Sequence, residues 1–138
     1  MSLIFSGVSY VNKVCKNKIV KNGTSNSQLV VESLGAFKKF SYQDDNIGSV
    51  SGILVPQSIP KSSVDNIIYT CLTGNIIYTL YLYPINLDIV FSYTGTRKCA
   101  QYSGSGFLTL NPSSKSNSLS FKDELEKLQS KFAKKELL

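Results

Sequence analysis

The stretch "NIIYTCLTGNIIYTLYLYP", Asn66 to Pro84, constrains the fold more than any other part of the chain, because it says "NIIYT" twice, once from Asn66 and once from Asn75. Gly74-Asn75 between the copies supplies glycine at the first central position of a type II′ hairpin turn, where φ must be positive. Thr73-Gly74 would instead ask a β-branched residue to take that conformation. The Gly-Asn turn sets Thr73 opposite Ile76, Leu72 opposite Ile77, Cys71 opposite Tyr78, and Thr70 opposite Thr79. The doubled motif is therefore expected to fold onto itself as two arms of one hairpin. Its second arm places Ile76, Tyr78, Leu80 and Leu82 on one face and Ile77, Thr79, Tyr81 and Tyr83 on the other. A strand apolar on both faces needs cover on both.

Further strands are predicted from Leu3 to Tyr10 with a break near Gly7, through "VCKNKIVK" before a turn at "KNG" (Lys21 to Gly23), and through "VSGILVP". "QLVVESL" reads as a strand ended by Gly35, with a helical face through Leu29, Val30, Leu34 and Phe37 as the competing pattern. "YQDDNIGS" reads as a solvated polar loop, and Pro56 and Pro60 mark a connector. "LDIVFSY" alternates, with Leu87, Ile89, Phe91 and Tyr93 on one side. "TGTRK" is expected to turn the chain, "SGSG" to form a flexible hairpin loop, and "GFLTL" a last short strand.

Residues 111–118, "NPSSKSNS", read as a linker. Beyond it Ser120 is a candidate N-cap, Asp123 and Glu124 suit the positive end of a helix dipole, and Lys134 and Lys135 suit the negative end. Phe121, Leu125, Leu128 and Phe132 recur at helical spacing. The expected architecture is thus α+β in a single domain spanning 1–138. Residues 1–110 would form an antiparallel sheet of five to seven strands, and 119–137 an amphipathic C-terminal helix packed on one face.

Chemistry is scarce. The chain has no His, which removes the usual general base, the commonest zinc ligand and the proton shuttle of neutral pH. Cys15, Cys71 and Cys99 are widely spaced with no CxxC, a pattern of packed thiols in a reducing compartment. Asp44-Asp45 lacks the spacing of a hard-cation loop, and "SGSG" lacks the lysine of a phosphate loop. No enzyme, cofactor or metal is expected. An intracellular, cytoplasmic protein without a membrane span is the expected setting, since "IIYTLYLY" is far too short to cross and no signal peptide is visible.

Two binding readings remain. Apolar cover missing from Tyr81 and Tyr83, together with Leu125, Leu128 and Phe132, points to a protein-interaction module, a subunit, adaptor or assembly factor, working as a homo-oligomer or on a protein partner. A small viral structural protein has the same composition. The second reading rests on a net charge of +6. Lys13, Lys16 and Lys18 would contact an anion, and tyrosines on a sheet would stack on unpaired bases of a single-stranded nucleic acid.

Overall fold

The computed structural model describes residues 2–57, 67–83 and 88–110. They form eight strands: β1 (Ser2–Cys15), β2 (Lys18–Leu34), β3 (Phe37–Asp44), β4 (Gly48–Pro56), β5 (Ile67–Thr73), β6 (Asn75–Tyr83), β7 (Asp88–Arg97) and β8 (Ala100–Leu110). Each strand pairs antiparallel with the next, and β1 pairs with β8 from Phe5↔Leu110 to Cys15↔Ala100, so the sheet closes into a barrel. Closure leaves no sheet edge between β1 and β8 for another chain to pair with.

The α+β expectation is overturned. The fold is an all-β barrel of eight strands, and there is no helix among the described residues. The linker 111–118 and the segment 119–137 lie outside those residues. The physical reason is that an apolar sheet face can be covered by a helix or by the sheet curling over itself. Alternation of side chains reads the same in both cases, so periodicity alone does not choose between them.

The interior is aromatic. Phe5, Phe40, Tyr42, Tyr69, Tyr78, Phe91 and Tyr93 are buried with Leu29, Leu54, Ile67, Leu80, Ile89 and Leu108. Tyr42 stacks on Phe91 with ring centroids 4.4 Å apart, and Phe40 meets Tyr78 and Phe91 at 5.6 Å each. Each such side chain withdrawn from water contributes about 1.5–3 kcal/mol before the cost of ordering it. The expected registers hold around Gly74: Thr73↔Ile76, Leu72↔Ile77, Cys71↔Tyr78 and Thr70↔Thr79 are all paired. Ile89, Phe91 and Tyr93 face the core as their alternation predicts.

Three local expectations change. "VCKNKIVK" is not one strand but the end of β1, a tight turn at Lys16-Asn17, and the start of β2, which then runs straight through "KNG". Most of "TGTRK" is the end of β7, and the turn falls at Lys98-Cys99. "SGSG" is not a loop but the middle of β8, where Gly104 and Gly106 face inward. A Cβ on Gly104 would lie 2.5 Å from the Tyr93 ring, and one on Gly106 would strike Ser9, so both glycines make room for interior side chains.

Candidate functional site

The turns at 16–17, 45–47, 74 and 98–99 all lie at one end of the barrel, and that end carries the polar chemistry. Its floor is the β3–β4 turn, folded inward. Asp44 is only 7% exposed and Asn46 8%, whereas the sequence reads them as a solvated loop. Asp44 Oδ1 accepts the backbone N–H groups of Asn46 (2.8 Å) and Ile47 (2.7 Å), a local turn of the kind that short Asp and Asn side chains close. Its Oδ2 accepts the Tyr42 (2.7 Å) and Tyr93 (2.8 Å) hydroxyls. Asn46 Nδ2 ties the turn to the opposite wall through the Asn12 carbonyl (3.0 Å), the Ser103 carbonyl (3.2 Å) and Tyr93 Oη (3.0 Å). Burial, then contact with the Asp44 carboxylate, pushes the Tyr42 and Tyr93 phenols well above their ordinary range.

Above this floor stand two hairpin tips. The β1–β2 tip carries Lys13, Lys16, Lys18 and Lys21, and the β7–β8 tip carries Arg97 and Lys98; the pairing of Cys15 with Ala100 makes the two tips neighbours. The remaining described cations, Lys38 and Lys39, lie towards the opposite end, where buried Lys38 donates to Ser33 Oγ (3.0 Å). Lys13 faces Lys21 directly across the ladder, an arrangement of like charges that disfavours the pairing. Lys13 Nζ and Arg97 Cζ each lie 5.0 Å from the centre of the Tyr102 ring, within the range where a ring face attracts a cation. Lys13 first, then Arg97, draws the Tyr102 phenol below its ordinary value. Arg97 Nη2 also donates to the Ile47 carbonyl (3.2 Å), which links tip and floor.

The outer face of the same strands is concave. Asn12 and Val14 of β1, Thr94, Gly95 and Thr96 of β7, and Gln101, Tyr102 and Ser103 of β8 line a hollow of about 330 Å³. Asn12 Oδ1 is buried without a hydrogen-bond partner. Two residues before Asn12, Tyr10 stands 58% exposed on the same outer face, its hydroxyl donating to Asn22 Oδ1.

Of the residues singled out in the sequence, Lys13, Lys16 and Lys18 are brought together on one tip. Tyr81 faces outward on β6, half-buried, opposite Ile68 and Val90. Tyr83 pairs with Asp88 at the far end of β6, and its side chain lies outside the described part, as do Leu125, Leu128 and Phe132. Sequence reading missed Lys21, Arg97, Lys98 and Tyr102, which join the cluster only because the first and last strands pair. Cys71 is buried, Cys15 half-buried and Cys99 exposed, all as free thiols. Among the described residues no group of three or more Cys, Asp or Glu is placed to hold a metal, and no helix is long and apolar enough to cross a membrane. Comparison with protein-family models, with curated proteins and with solved structures found no match.

Proposed function

We propose that the protein binds a polyanionic partner, a nucleic acid, through the basic end of its barrel. The observation that carries this reading is the gathering of Lys13, Lys16, Lys18, Lys21, Arg97 and Lys98 on two adjoining tips while Lys38 and Lys39 alone among the described cations lie elsewhere. Lysines opposed across a ladder raise the energy of the free protein, and a bound row of phosphates relieves that repulsion. Such a field also speeds encounter with an anion before any contact forms.

The test is fluorescence anisotropy with a labelled oligonucleotide across a salt series. If all six cations meet phosphates of a single strand, the logarithm of affinity falls with the logarithm of salt at a slope of about −4. Lys16→Glu with Lys18→Glu should flatten the slope and weaken binding. No binding at low salt, or binding indifferent to salt and to these charge reversals, rejects the reading.

A second reading, a protein-interaction surface, draws on a different place. Leu72, 68% exposed, pairs with exposed Ile77 at the tip of the β5–β6 hairpin. Sedimentation tests it: a chain that self-associates should become monomeric with Leu72→Ser and Ile77→Ser, and a monomer unaffected by them removes self-association from consideration.

A further inference from the structure

We infer that the hollow on the outer face of β1, β7 and β8 holds one unpaired base of a single-stranded nucleic acid, with Tyr10 stacking on its neighbour. This rests on the nucleic-acid reading above and specifies the form of the ligand. At about 330 Å³ the hollow lies at the lower end of the size range of small-ligand sites. Its lining is unusual for an apolar ligand, because five of the residues named above, Asn12, Thr94, Thr96, Gln101 and Ser103, bring amides or hydroxyls. These groups both donate and accept, as the edges of a base require. None of them is ionised, so the hollow suits a neutral polar ring and not a phosphate.

Beyond the hollow, Val14 leads to Lys16 and Thr96 leads to Lys98, each two positions further along the chain and the first residue of its tip turn. Cations on the tips beside the hollow are placed to meet the backbone phosphates flanking a bound base. In the other direction lies Tyr10. Its bond to Asn22, the register partner of Asn12, holds the ring beside the β1 edge of the hollow. An exposed ring already fixed by a hydrogen bond loses little freedom when a base stacks on it. A base inside a duplex can reach neither the hollow nor the ring face, so the geometry selects an open strand.

The experiment compares an oligothymidine with a duplex of the same length, using the full chain, Tyr10→Ala and Ser103→Leu, which fills the hollow. Thermal melting first establishes that both variants fold; both side chains face outward, so the barrel should tolerate them. The expected result is tighter binding of the single strand and a loss of at least about fivefold on removing the ring, with a comparable loss on filling the hollow. Both variants should leave duplex binding unchanged. Equal affinity for both forms, with neither variant altering it while salt dependence persists, overturns this inference and leaves the polyanion reading standing. Absence of salt-dependent binding to either form overturns both.

Discussion

Asp44 is one carboxylate serving four donors, two from its own turn and two from tyrosines on β3 and β7. Its removal strands all four in a place water reaches poorly. Asp44→Ala should therefore lower unfolding free energy by about 3 kcal/mol or more, read from the midpoint of urea denaturation. The two phenols carry a second expectation. Their folded values are raised above the ordinary 10.0 by burial and then by Asp44, so the stability they contribute is fully present below pH 10.0 and is lost as pH climbs through the raised values. In an alkaline titration followed by ultraviolet absorbance, their ionisation should coincide with loss of the fold. Tyr42→Phe with Tyr93→Phe should remove that part of the signal. Little of this was legible in "YQDDNIGS": adjacent carboxylates beside a glycine look solvated, and nothing local says that the pleat turns Tyr42 and Asp44 inward.

At the scale of elements, the two basic tips break a rule that the Gly74 hairpin obeys. Lys16 and Asn17 have φ of 50° and 64°, and Lys98 and Cys99 50° and 65°, the left-handed conformation that side chains disfavour. Lysine there costs about 1–2 kcal/mol. Residues held in such conformations are where function is sought first. Replacing Lys16 by Asn and Asn17 by Gly supplies the preferred chemistry of this turn, and should raise the melting temperature by about 3–5 °C. The same change should weaken oligonucleotide binding, because it deletes one tip cation. A variant that gained stability and kept full affinity would show that Lys16 is only a turn residue. This contrast also explains what sequence reading recovered. The Gly74-Asn75 turn and the strand break at Gly35 announce themselves through glycine, whereas the turns at Lys16-Asn17 and Lys98-Cys99 have no glycine and put Lys and Cys where positive φ is rarely taken. Gly104 and Gly106 mislead in the opposite sense, signalling a turn where they make space for Tyr93 and Ser9.

For the whole molecule, the arrangement of strands was half legible. Alternation identified most strands and several inward residues, and the hairpin registers followed from turn chemistry. Closure was invisible, because it depends on Phe5 meeting Leu110 across nearly the full described length, and no local pattern records such a pairing. The candidate site shares that fate. Four of its cations belong to the β1–β2 hairpin and two to the β7–β8 hairpin, so an interface that is compact in space is scattered along the chain. The same closure has a consequence in time. During synthesis at roughly 5–20 residues per second, β8 emerges many seconds after β1 has left the ribosome. Until then one side of β1 offers its backbone to any strand that passes, and the nascent chain is most vulnerable in the interval between making its first strand and making the partner that seals it.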